Sequence, residues 1–133
     1  MSLLIEQQRE FTNVVGQFIH FAYDNHYWLR MGDAYRSPEA LPCPNGGMPH
    51  SYQDQLMLAR RTKTKSTRHA DRCAVDFIVE RVDGVPMGDE DWYKLGSFWE
   101  DHGGRWGGRF GVDRELWYVK LGWDPGHFEW PHV

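Results

Sequence analysis

The chain has 133 residues, which suits one domain, 1–133, with a core of its own. Its formal net charge is −4 with histidine neutral, and acids and bases are interspersed, so nothing calls for a nucleic-acid partner. No apolar run approaches the ~20 residues that cross a bilayer, and Glu6, Arg9 and Glu10 stand where a secretory leader would be apolar, so we expect no membrane insertion and synthesis in a cytoplasm.

In chain order, residues 3–22 read as an amphipathic helix, with Leu4, Phe11, Val14, Val15, Phe18 and Ala22 near one stripe. Tyr27–Met31 reads as a strand ended by Gly32-Asp33. Arg36 follows in a turn closed by Ser37-Pro38; its guanidinium reads either as a cleft residue or as a surface partner of Asp33 or Glu39. Residues 42–49 form a Pro/Gly-rich loop, and 51–60 read as a helix that Ser51 can cap. Residues 60–65 are the most basic run, read as a solvated loop in preference to a phosphate-binding one. Cys73–Val79 reads as a buried strand. Cys73 is expected to be a core thiol, and neither it nor Cys43 has the spacing of a redox or structural zinc pair. Asp83-Gly84 suggests a tight hairpin turn. Asp89 can cap a helix running to about Asp101, with Trp92, Leu95, Phe98 and Trp99 inward. The two Gly-Gly pairs flanking Trp106 allow close backbone approach, to a substrate or to a sheet. His102 reads as a helix cap more readily than as a ligand. Residues 115–121 read as a strand or a helix, and a last strand carries His127.

Two stretches carry chemistry. In Cys73–Val79, Asp76 interrupts an apolar run, and a carboxylate there is costly unless paired or metal-bound. Alternation puts it on one face with small Ala74, and His69 lies just upstream. In Trp123–Trp130, Pro125-Gly126 predicts a type II turn, with Asp124 and His127 as its outer residues. His127 and Glu129 then share a strand face, where Glu129 can hydrogen-bond a ligand imidazole. A catalytic zinc needs three protein ligands and one open position, and a carboxylate to move the proton of the attacking water. His69, Asp76 and His127 fill the first role and Asp124 the second. Spacing alone leaves the alternatives standing: Asp76 paired with Arg68, Arg72 or Arg81, ordinary surface or core histidines, and a common Asp-Pro-Gly turn.

These residues resemble a zinc peptidase family that includes phage L-alanyl-D-glutamate endopeptidases (endolysins) and VanY-type D,D-carboxypeptidases. Thr67, His69, Ala74 and Asp76 are similar to its Ser-x-His…Ala-x-Asp motif, and Asp124, His127, Phe128 and Glu129 to its Asp-x-x-His motif. Residues 95–100 and 103–108 are similar to a segment frequent in the phage members, and Tyr35-Arg36-Ser37 with Gln53 or Gln55 to an upstream signature. The likeness spans about residues 28 to 130. Thr67 stands where serine is usual. Arg72 stands where glycine is frequent, which makes a positive φ there less expected.

The resemblance implies an α+β fold of the Hedgehog/D,D-peptidase-like kind: a small antiparallel sheet, helices packed on one side, and zinc in a cleft. It implies His69, Asp76 and His127 as zinc ligands, Asp124 as base, and Arg36 and Thr67 orienting substrate. Trp106 is placed as a further substrate contact. The implied activity is hydrolysis of peptidoglycan stem peptides by a monomer released from the cytoplasm, with the L-Ala-D-Glu bond as target. The rivals are a D-alanyl-D-alanine carboxypeptidase or dipeptidase on the same scaffold, a zinc-stabilised binding module without catalysis, and a nucleic-acid binder using residues 60–72.

Overall fold

A computed structural model describes residues 3–32 and 71–131. The expected helix at 51–60, the loop at 42–49, the basic run at 60–65, Cys43, Arg36, Thr67 and His69 lie outside the described residues.

The chain opens with α1 (Leu3–Asp24), which buries Gln7, Phe11, Val14, Phe18 and Ala22. That is the expected stripe with its first turn rotated: Leu4 is exposed and Gln7 takes the inner position. The chain reverses through His26, at φ 69°, into β1 (Tyr27–Met31). β1 pairs antiparallel with β2 (Ala74–Arg81), Tyr27 opposite Arg81 and Met31 opposite Phe77. Arg72, just before β2, has φ 59°. The expectation against a positive φ is therefore corrected: the left-handed position is kept at a residue whose Cβ makes it costly.

After β2, Asp83-Gly84 does turn, with Gly84 at φ 78° and its N–H donating to the Arg81 carbonyl at 3.1 Å. The expected hairpin does not form: β2 has β1 and β4 (His127–Glu129) as its sheet neighbours, and no strand follows the turn to pair with it. The chain runs on into α2 (Asp89–Asp101), whose N-cap is Gly88 in place of Asp89. There Asp91 accepts from the Gly88 N–H at 2.8 Å and from the Tyr27 hydroxyl at 2.6 Å, tying the start of α2 to β1. His102 closes the other end, its backbone N–H donating to the Trp99 carbonyl. β3 (Arg105–Trp106) follows, then short 3-10 turns at Gly107–Arg109 and Arg114–Leu116; the strand or helix expected at 115–121 is corrected, since beyond Leu116 that stretch is turn and irregular chain.

The strands form one antiparallel sheet in the order β1-β2-β4-β3. Alternation gives it two unlike faces. Val75, Phe77, Phe128 and Trp106 point to one side, where α1 and α2 pack; Phe18 lies against Phe77, Phe128 and Trp99, with ring centroids 5.5, 4.5 and 6.0 Å away. This aromatic cluster is the centre of the core. The architecture is α+β, with the helices on one side of a small antiparallel sheet. Among the described residues no helix is long and apolar enough to cross a membrane.

Candidate metal centre

The other face of the sheet carries Ala74, Asp76, His127, Glu129 and Arg105. Register assembles them: Asp76 lies opposite His127, and Ala74 and Arg105 both lie opposite Glu129. Two of the expected ligands, 51 residues apart in sequence, thus become cross-strand neighbours. His127 Nδ1 is 2.8 Å from Asp76 Oδ1 and 3.9 Å from Asp124 Oδ2. His127 is buried, while Asp76 and Asp124 are partly open to solvent.

The turn that carries Asp124 and His127 is held at each residue. The His127 N–H donates to the Asp124 carbonyl at 3.1 Å, closing the turn, and the Asp124 N–H donates to the Gly107 carbonyl at 3.3 Å. The Pro125 carbonyl accepts from the Trp106 indole at 2.7 Å, and the Gly126 carbonyl from the Phe77 N–H at 2.8 Å. The predicted type II geometry is corrected, because Gly126 is not among the glycines at positive φ. Glycine is needed for space instead: a Cβ at 126 would lie 2.6 Å from the Phe77 carbonyl oxygen. Gly107 has the same reason, since its Cβ would strike the Asp124 carbonyl and sit 2.9 Å from His127 Cβ. The glycine-rich loop therefore makes its close approach to the turn.

Glu129 occupies the place expected of it. Its Oε1 is 2.7 Å from His127 Nε2, so it takes that N–H and leaves Nδ1 directed at the carboxylates. Burial works against a charged His127, but the hydrogen bonds to Asp76 and Glu129 and the charges of both outweigh it, pushing the imidazole up from 6.5 to about 9. Without metal, the Nδ1–Asp76 contact is a charge-assisted hydrogen bond.

Asp76, Asp124 and His127 each offer one ligand atom, all within 4.8 Å of one another, and could hold a metal ion. Tetrahedral zinc bonds of the usual length set donor atoms about 3.3 Å apart; the 2.8 and 3.9 Å separations at Nδ1 bracket that spacing. The donor chemistry, one imidazole nitrogen with carboxylate oxygens, suits zinc and other first-row divalent ions.

Trp106 is not where a substrate contact was expected. It lies opposite Phe128 on the core side, is fully buried, and acts on the turn through its indole N–H. The alternation that turns Trp106 inward turns Arg105 outward. Arg105 lies beside the site, with Nη1 3.6 Å from Glu129 Oε2 and its guanidinium 4.7 Å from the Phe110 ring. Phe110 in turn lies 5.5 Å from the His127 ring and 5.2 Å from the ring of exposed Trp123. Arg105 and Trp123 lie within stretches singled out in the sequence but were given no role, and Phe110 lies in neither; strand parity could have found Arg105. Arg109 is different in kind. It is buried, forks onto Glu100 at 3.0 and 3.1 Å, and lies over the Trp106 and Trp117 rings, so it clamps the 107–117 loop.

No family model matches the chain, and no curated protein matches it. Among solved structures it is similar to the L-Ala D-Glu endopeptidase ChiX of Serratia marcescens, with 16% identity and a TM-score of 0.55 over 95% of this chain and 84% of that one. At this identity the likeness is one of fold.

Proposed function

We propose that this chain is a zinc-dependent peptidoglycan peptidase that cleaves the L-Ala-D-Glu bond of stem peptides, and that it serves a phage or prophage as an endolysin released from the cytoplasm. One observation carries the reading: with Glu129 on His127 Nε2, the Nδ1 of the same ring faces Asp76 and Asp124 together. The fold shared with an L-Ala D-Glu endopeptidase supports the choice of bond.

In this reading Asp76, His127 and His69 hold the ion, and Asp124 is left for proton transfer. Bound zinc would supply Lewis acidity, which makes water a nucleophile at neutral pH and polarises the scissile carbonyl. Asp124 suits its task because it is half-open to solvent and fixed by its own backbone hydrogen bonds at one end of the turn. It accepts a proton from the attacking water and returns it to the leaving amine. The Trp106 indole and the Gly107 carbonyl hold the backbone of the turn that carries it. Arg36 and Thr67 orient the substrate.

Digestion of purified peptidoglycan tests the reading. New amino termini on D-glutamate are expected. Free D-alanine without new termini on the stem would mean a carboxypeptidase instead. Asp124→Ala should lower the rate by at least about 100-fold while the protein still binds zinc. Wall cleavage by that variant at the wild-type rate would overturn the mechanism.

A further inference from the structure

The geometry points to Arg105 as a subsite for a substrate carboxylate beside the metal centre, an inference that rests on the peptidase reading and deepens it. Arg105 stands on the site face of the edge strand β3, opposite Glu129, and its side chain is 63% exposed. Glu129 already gives Oε1 to the His127 Nε2–H. Arg105 reaches only the remaining oxygen, and loosely, at 3.6 Å. One carboxylate oxygen at that distance engages little of a five-donor guanidinium, and the rest faces outward. The Phe110 ring supports the group from behind at 4.7 Å, so its planar fork is partly ordered before a ligand arrives. The same ring touches the imidazole of His127, so one aromatic wall joins the cation to the ligand residue.

The substrate offers a matching anion. In an L-Ala-D-Glu peptide linked through the glutamate side chain, the α-carboxylate is two bonds from the scissile amide nitrogen. A guanidinium one carboxylate and one imidazole away from the metal-facing nitrogen is placed to pair with it. A planar fork pairs with a carboxylate through two parallel N–H donors, which a lysine does not reproduce. The subsite would therefore prefer stem peptides with a free D-glutamate α-carboxylate over those in which it is amidated to D-isoglutamine.

Calorimetric binding of the two peptides to zinc-loaded Asp124→Ala protein, alone and with Arg105→Gln or Arg105→Lys added, tests this. Without an Arg105 change, the acid peptide should bind about fivefold more tightly, the upper end for an exposed ion pair, and the preference should shrink as salt is raised. Arg105→Gln should erase it and Arg105→Lys should keep part of it, with zinc content unchanged throughout. Equal binding of the two peptides when Arg105 is intact overturns the subsite without needing any change at that position, as does a preference that survives in Arg105→Gln. The peptidase reading fails separately: a wild-type protein that prefers the acid peptide but hydrolyses neither keeps the subsite and loses the activity.

Discussion

His127 has two nitrogens with two different neighbours, and the division between them is the chemistry of the site. Glu129 holds Nε2, and Nδ1 meets Asp76 at 2.8 Å. In metal-free protein a proton sits where an ion would, held by a pKa pushed up to about 9 against a burial that would lower it. The sign follows directly. The folded pKa lies above the unfolded value of 6.5, so this group's contribution to stability is complete below pH 6.5 and is lost as pH rises through about 9. Chelator-treated protein should therefore melt at a lower temperature at pH 9 than at pH 6.5, and His127→Gln should flatten that dependence. A melting temperature that does not fall over this range in the wild type would show that the proton is not held as described. Zinc competes with the same proton, so its affinity should rise across the same interval.

At the scale of the element, the Asp124–His127 turn is positioned by its neighbours. Trp106, Gly107 and Phe77 each hydrogen-bond a different part of it, and Gly107 lies so close that a methyl group would strike the Asp124 carbonyl. Gly107→Ala must push the turn away from β3. It should cost about 1–3 kcal/mol, as overpacking does, read as a lower urea midpoint. Zinc affinity should fall as well, since the displaced residues include two of the cluster. Unchanged urea midpoint and zinc affinity would mean that the loop yields and the turn does not depend on it.

For the whole molecule, the site inherits its rigidity from the core beneath it. Asp76 and His127 alternate with Phe77 and Phe128, and those two rings pack on Phe18 of α1. Trp99 of α2 adds its indole N–H to the Glu129 carbonyl at 3.0 Å, so both helices hold the strand that carries His127 and Glu129. Phe18→Ala removes the ring at the centre of this contact and should cost about 3–5 kcal/mol, measured by urea denaturation. Excess zinc should recover part of the loss, because an ion that binds only the folded site stabilises it by mass action. A loss below 1 kcal/mol would place the centre of the core elsewhere.

What the sequence determined by itself was local. The stripe in α1, the apolar run around Asp76, the shared face of His127 and Glu129, and a turn between Asp124 and His127 all follow from periods of 3.6 and 2 and from proline and glycine. Residues within a few positions of one another needed no partner to be read. Tertiary structure alone decided which strands pair, and so that Asp76 faces His127 across 51 residues. It decided that Gly126 answers the Phe77 carbonyl and not a positive φ, and that β2 takes β1 and β4 as neighbours and leads after its turn into a helix, not a hairpin strand. It also turned Trp106 inward, away from the substrate contact expected of it, and Arg105 outward, since a two-residue strand takes its parity from the residue opposite, here Phe128. The physical reason is common to all four: backbone register and steric exclusion depend on atoms brought in from elsewhere in the chain, which no local pattern contains.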